Sequence, residues 1–291
     1  MAGFFLPSQK NVRFLGDKPS TPQSIIPGIE FVKIVLLTAQ FLCMERSLKA
    51  ASLFCVALAG VAAPLQTPTA QDMADAILYA RGGTSRIQNI KTERMAGRVN
   101  IGDHQGTFVR EVMRPNKIRM EVTLNGETTI MGYNGTTGWK RQISANGTQN
   151  TKLSPDENKK MAEDADIDGL FMSYADKGVT IEPLDKEMLG PSVVWKVKVT
   201  PKVGSPEFYY IESTGHYILM RENTRIEDSK PVIFESIYKN FRRVEGVLFP
   251  FTVAYLTQDG KEMTTLQFDT IQLNNPIDAS AFDQPAAGKG K

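Results

Sequence analysis

A chain of 291 residues carrying 34 basic and 32 acidic side chains can hold one or two domains, and its balanced charge gives no footprint for nucleic acid. Both cysteines, Cys43 and Cys55, fall within the first 63 residues, so the body of the chain has neither a thiol nucleophile nor a disulfide. Six of the basic and three of the acidic residues lie there too, which leaves 28 and 29 and a net charge of −1 for the remainder.

Residues 1–43 have no sustained hydrophobic period and end in the run Phe31–Cys43, interrupted by Lys33 and too short to span a bilayer. From Met44 the pattern changes. Met44 to Lys49 is basic, AASLFCVALAG is apolar, and small residues close the stretch near Ala62: the three parts of a secretory signal peptide. Translation is expected to begin at Met44, making 1–43 a spurious or disordered upstream extension; an unusually long leader is the alternative. Cys55 follows Phe54 where a lipid-anchoring signal needs a small residue, so a soluble product is expected. The expected layout is a signal peptide over 44–63, a Pro/Thr linker over 64–71, one domain over 72–285 and a flexible tail over 286–291.

In that domain Asp72 is expected to cap a helix whose Met73, Ala76, Ile77 and Ala80 recur at helical spacing. Gly82-Gly83 ends it, and a second turn (Thr84 to Ile90) brings Ile87 and Ile90 inward. Lys91 to Ile143 reads as a strand meander. In its clearest strand Ile118, Met120, Val122 and Leu124 alternate with polar residues, and Asn125-Gly126 signals a hairpin. Ser154 caps a helix with Pro155 at its first position. That helical region is expected to reach about Tyr174, broken near Asp168-Gly169, with Met161, Ala165, Leu170, Phe171 and Tyr174 on its apolar side. It is either a lid over the sheet or a plain helix closing one end of it.

Further on, Val193, Trp195, Val197 and Val199 alternate with Lys196 and Lys198, the pattern of a strand with one dry and one wet face. Glu212 to Gly215 supplies a turn, with Gly215 able to take positive φ. Asp228 to Pro231 breaks the next pair of strands, and Asp259-Gly260 joins Phe251–Thr257 to Met263–Leu273. In the last strand Leu266 and Phe268 are out of phase with Ile271 and Leu273, which predicts a bulge at Asp269–Thr270.

Reactive chemistry is sparse. His104 and His216 sit beside turns with no second ligand at zinc spacing. Asp164, Asp166 and Asp168 lack the Gly and distal Glu of a calcium loop. No Gly-x-Ser-x-Gly elbow occurs. No cofactor, metal or catalytic set is read, and the protein is not expected to be an enzyme. The methionines spread over the strands suit either an adaptable lining or an ordinary core.

The Trp-bearing strand, then FYYIESTGHYILMRE, YKNFRRVEGVLFPF and LNNPIDASAFDQP, together with ARGGTSRIQNIK near the start, resembles outer-membrane lipoprotein-sorting proteins (LolA/LolB-like periplasmic carriers) over roughly Asp72 to Pro285. The resemblance implies an α+β fold: an open, strongly curved antiparallel half-barrel with helices covering its concave face. It also implies carriage of lipoprotein acyl chains, or another lipid, through the periplasm by a monomer without a cofactor. Partners would be an inner-membrane release complex and an outer-membrane acceptor, and not nucleic acid. Candidate lining residues are Met120, Val122, Met131 and Trp139 on the early strands and Leu170, Phe171 and Tyr174 on the lid. Trp195, Tyr210, Met220 and Phe234 complete the set on the late strands. An arginine is critical in true carriers; Arg98, Arg110 and Arg119 all lie on expected strands. The alternative is a ligand-sensing or structural envelope interaction module on the same fold.

Overall fold

The computed structural model describes residues 67–227, 230–257 and 260–285. The expected leader, the linker up to Gln66, the turn residues Asp228, Ser229 and Asp259, and the tail 286–291 lie outside these residues. Thirteen strands form a single antiparallel sheet. They are β1 (Thr92–Ile101), β2 (His104–Met113), β3 (Lys117–Leu124), β4 (Glu127–Tyr133), β5 (Gly138–Ser144) and β6 (Gly147–Lys152), then β7 (Thr180–Leu189), β8 (Ser192–Thr200) and β9 (Glu207–Glu212). The chain returns through β10 (Ile218–Glu227), β11 (Lys230–Val244), β12 (Val247–Thr257) and β13 (Glu262–Leu273). The order across the sheet is β6-β5-β4-β3-β2-β1-β13-β12-β11-β10-β9-β8-β7. The first and last strands therefore pair at its middle, and residues 153–179 link one edge strand, β6, to the other, β7.

Local chemistry sets the turns. Asn125 and Gly126 take φ 51° and 81°, the left-handed pair that a two-residue hairpin needs. Between β9 and β10 the left-handed residue is His216 (φ 55°) and not Gly215. There the Glu212 carboxylate accepts from the amides of Thr214 (2.9 Å) and Gly215, which leaves the left-handed step to the residue after the glycine. Both edges are blunted: β6 is short and polar, and β7 carries Pro183 and a register shift between Pro183 and Lys186.

Helix α1 (Ala70–Arg81) starts at Thr69, not at Asp72. The Thr69 hydroxyl accepts from the Asp72 amide at 3.1 Å and the Asp72 carboxylate accepts from the Thr69 amide at 3.0 Å, so Asp72 completes a capping box from the third position. The helix buries Met73, Ala74, Ile77, Leu78 and Ala80 and packs against β7 and β12. A short α2 (Thr84–Gln88) follows, and Ile87 and Ile90 are fully buried. Helix α3 (Pro155–Asp164) is capped by Ser154 with Glu157, as its sequence predicts, and packs on β3, β4 and β5. It stops ten residues short of Tyr174; residues 165–178 are irregular turns. Side chains take the main-chain oxygens of Ile167, Asp168 and Gly169, main-chain bonds close the turns at 173–179, and Gly169 (φ 74°) and Ser173 (φ 51°) turn the chain left-handed. No described helix is long and apolar enough to cross a membrane.

The main core lies on one face of β1–β4 and β11–β13, where Met95, Val99, Phe108, Val112, Ile118, Val253, Leu266 and Phe268 meet Met161 and Ala165 of the α3 region. A second cluster sets Met73, Ala74 and Ile77 against Ile181, Val197, Val199, Tyr209 and Ile211 on the same face. The opposite face is not uniformly wet. Val194, Tyr210 and Met220 are buried there, while Val193, read as a dry-face residue, is 42% exposed. At the strand's outer end the core face is not covered, whereas aromatic and methionine neighbours on β9 and β10 close over Val194. The C-terminal 3-10 turn (Ala279–Phe282) also packs beside β3, burying Phe282 completely.

The predicted bulge is present. Ala96 pairs with Thr270 and Gly97 with Phe268, so Asp269 is the extra residue. Gly97 permits it: a methyl group there would lie 2.0 Å from the main-chain oxygen of Gln267 and 2.8 Å from Cα of Phe268. Gly97→Ala should therefore cost about 1–3 kcal/mol. It would be read as a lower urea midpoint at unchanged slope; an unchanged midpoint would mean the two central strands separate freely.

Candidate functional site

A cavity of about 800 Å³ opens beside α1, the turns after α3 and the core face of the sheet, a volume within the ~300–1,000 Å³ of small-molecule sites. Part of its wall is apolar: Ile77 and Leu78 of α1, Leu170 and Phe171 of the turns, and Ile218 and Phe249 of the sheet. Phe171 meets Tyr209 edge-on with ring centres 5.2 Å apart.

The floor is charged. Arg110 of β2 pairs with Glu93 of β1, and Arg221 of β10 pairs with Glu207 of β9. In each case the partners are diagonal neighbours on adjacent strands, two residues from direct opposition, so one face of the sheet presents both. All four side chains are buried or nearly so. Burial alone would raise the Glu207 carboxyl, but the Arg221 guanidinium outweighs that and holds it below its usual range. Burial likewise works against the charge of Arg221, and the Glu207 carboxylate beside it helps hold the guanidinium protonated. Tyr209, Tyr238 and Tyr255 stand around the pair with their hydroxyls pushed up by burial, so they remain neutral.

Four cations hold the turns that wall the cavity. Arg110 donates to the main-chain oxygen of Asp164 at 2.8 Å. Arg81, the last residue of α1, donates to those of Ile167 (2.8 Å) and Asp168 (3.0 Å). Arg114 grips the Asp168 carboxylate with both terminal nitrogens, one at 3.0 Å, and itself donates to the main-chain oxygens of Ile90 (2.6 Å) and Ile87 (3.1 Å). Lys177 reaches the Asp166 carboxylate and the oxygen of Gly169. The Asp166 carboxylate also accepts from the Asp168 amide at 3.0 Å. The three aspartates, which form no calcium loop in the sequence, are thus the anchor points of this segment. Arg81, Arg114 and Lys177 carry no sequence signal that marks them as its partners.

Of the candidate lining residues, Leu170 and Phe171 line the cavity. Tyr174 packs, half-buried, with the α1 cluster instead. Met120, Val122 and Met131 face the same side of the sheet but are packed into the main core under α3. Trp139 lies on the opposite face, its ring against Gly132 and its Nε1 donating to the main-chain oxygen of Phe282 at 2.8 Å. Trp195 is half-buried with Lys186 Nζ 4.6 Å from its ring centre. Tyr210, whose hydroxyl donates to Glu222 at 2.9 Å, and Met220 belong to the opposite-face cluster. Phe234 is buried on β11 directly across from Asn223, which lines the cavity, but is not itself part of the lining. The reason is common to these nine: apolar character marks burial, and packing with neighbouring elements takes up the space each was expected to border. Among the three arginines, Arg98 is exposed and paired with Asp269 at 3.2 Å, and Arg119 pairs with Glu111 and Glu121. Arg110 alone reaches the cavity. His216 also lines it, while His104 is exposed. Among the described residues no group of three or more His, Cys, Asp and Glu is arranged to hold a metal ion.

No family model matches the sequence, and no curated protein does. Solved structures do match the fold. A domain from Vibrio parahaemolyticus described as an outer-membrane lipoprotein-sorting protein superposes with a TM-score of 0.51 at 8% identity, covering 74% of this chain and 97% of its own. A DUF1329 family protein from Desulfovibrio piger superposes with a TM-score of 0.50 at 9% identity, covering 72% and 95%. The resemblance carried by the sequence motifs is thus matched in three dimensions: this chain is similar in fold to lipoprotein-sorting proteins.

Proposed function

We propose that this is a periplasmic binding protein that takes up the acyl chain of a lipoprotein, or of another lipid, in the cavity beneath residues 164–171 and carries it toward the outer membrane. The observation that carries the reading is the cavity itself, part-apolar, of ligand size and walled by a segment that no regular structure holds in place. Each methylene moved from water to its apolar wall contributes about 0.8 kcal/mol, so affinity comes from chain length without covalent chemistry. An inner-membrane complex that loads the protein and an outer-membrane acceptor with a better-fitting site would complete the cycle. The domain is taken as 72–285, acting as a monomer after removal of the leader.

The finer geometry belongs to the same reading: a half-barrel whose concave side is covered by α1 and residues 153–179. What supports it is that α1 packs against both β7 and β12, which stand five places apart in the sheet. In a flat sheet those strands would be about 24 Å apart, and a helix is only about 10–12 Å across. The buried ion pairs favour one variation on this reading. They make part of the wall polar, which suits a ligand-sensing module for a smaller amphiphile as well as a carrier.

Native mass spectrometry of the protein from its own periplasm tests the proposal: co-purified lipid or lipoprotein is expected, and an empty protein that also rejects added lipid would overturn it. Leu170→Glu should abolish uptake of the neutral dye N-phenyl-1-naphthylamine while leaving the melting temperature within about 2 °C, as for a half-buried side chain. An equal loss of both would make Leu170 a structural residue.

The wall should also respond to pH. The hydrogen bond from Arg114 holds the Asp168 carboxyl below its ordinary value. A group depressed by folding contributes its stabilisation above its unfolded value, about 4, and loses it as pH falls through the lower folded value. Amide hydrogen exchange in residues 165–178, corrected for intrinsic rate, should thus be flat from pH 8 to 5 and accelerate only below about 4. Asp168→Asn should reproduce the acceleration at neutral pH, by about tenfold for one charge-assisted hydrogen bond; no change in either experiment would show that the pair does not hold the segment.

A further inference from the structure

The carboxylates around the cavity are each matched by a cation. Glu93 has Arg110, Glu207 has Arg221, Asp164 has Lys160, Asp166 has Lys177 and Asp168 has Arg114. Arg81 lines the same cavity and stands within ion-pair distance of none of them. Its two terminal nitrogens donate only to the main-chain oxygens of Ile167 and Asp168, neutral acceptors that match a guanidinium less well than an anion does. The carboxyl end of α1 adds about half a negative charge, which leaves the rest uncompensated. Burial presses the guanidinium below its ordinary value, and the nearest negative charges, Glu93, Asp168 and Asp166, are already committed to other cations.

We infer that Arg81 forms a subsite for the anionic head group of an amphiphile, a carboxylate or a phosphate, whose apolar body lies along Ile77, Leu170 and Phe171. The inference rests on the ligand-binding reading of the cavity and specifies what binds there. Apolar surface begins beside the charge: Ile77 is one turn earlier on α1, and Leu170 follows two residues after the oxygen that Arg81 holds. A two-oxygen anion matches the fork of the guanidinium, and in taking it would displace the oxygens of Ile167 and Asp168. Loading the head group therefore releases part of the wall, so the ligand unlatches the segment that afterwards encloses its tail.

The test is displacement of N-phenyl-1-naphthylamine, a neutral probe, from the full mature protein by decanoate, decyl phosphate and decanol below their aggregation limits. The anions should compete at least about tenfold more strongly than decanol, the effect of one charge-assisted hydrogen-bonded pair. The stronger of the two anions identifies the head group. Arg81→Gln should erase that preference and leave decanol unaffected, and Arg81→Lys should keep part of it. If the three ligands compete equally in the wild type, the subsite is overturned while the cavity reading stands. If the probe does not bind at all, both fall. Should Arg81→Gln fail to fold, salt decides on the wild type: the preference must weaken from 0.05 to 0.5 M NaCl, conditions chosen to span screening lengths of about 14 to 4 Å, and a salt-independent preference would overturn the subsite.

Discussion

Main-chain oxygens that would end unpaired in an irregular segment are held here by guanidinium groups, and the upper wall of the cavity depends on that interaction. At 167–169 no helical ladder continues: the oxygens of Ile167, Asp168 and Gly169 and the amide of Asp168 bond to side chains. Buried carbonyls without partners would each cost roughly 1–3 kcal/mol. Arg81 and Arg110 supply the donors from α1 and β2, and Arg114 adds a carboxylate grip at Asp168. Two separate pieces of the chain therefore converge on the five residues from Asp164 to Asp168. Buried Ala165, Ile167, Phe171 and Met172 add apolar packing, so the wall is fixed jointly by these bonds and by its contacts with α1 and the sheet.

The sheet accommodates charge on its core face by pairing it diagonally. Two guanidinium–carboxylate pairs, Arg110 with Glu93 and Arg221 with Glu207, sit among Met95, Tyr209 and Tyr238 where an apolar side chain would pack more simply. A buried pair of this kind contributes little net stability and costs about 3–5 kcal/mol when one partner alone is removed. Its retention in place of hydrophobic packing keeps a charged floor beneath a wall that itself mixes apolar side chains such as Ile77 and Phe171 with Arg81, Asp166 and Lys177.

Much of this architecture is written locally. β3 follows from the alternation of Ile118, Met120 and Val122 ahead of Asn125-Gly126, and the bulge at Asp269 from the phase slip between Phe268 and Ile271. Ser154 and Pro155 mark the start of α3 because capping is decided within four residues. The end of the helix was not legible, because it is decided by Arg81 and Arg110, which lie 54 to 87 residues away in the chain. The cavity was legible only at Leu170 and Phe171. Met120, Trp139 and Tyr210 have the same apolar signature, yet strand register sends the first into a filled core and the other two to the opposite face. Hydrophobicity predicts that a side chain leaves water, and not whether it finds a neighbour or a void.

Residues 153–179 are also the sole covalent link between the two edges of the sheet, leaving β6 and entering β7 at opposite ends of a thirteen-strand order. They are not a free strap: α3 lies on β3, β4 and β5, and Arg110 of β2 and Arg81 of α1 fasten the chain midway, at Asp164 to Asp168. The connection between the two edges is therefore itself part of the structure that walls the cavity, and a change in those fastenings alters the wall without any strand pairing being lost.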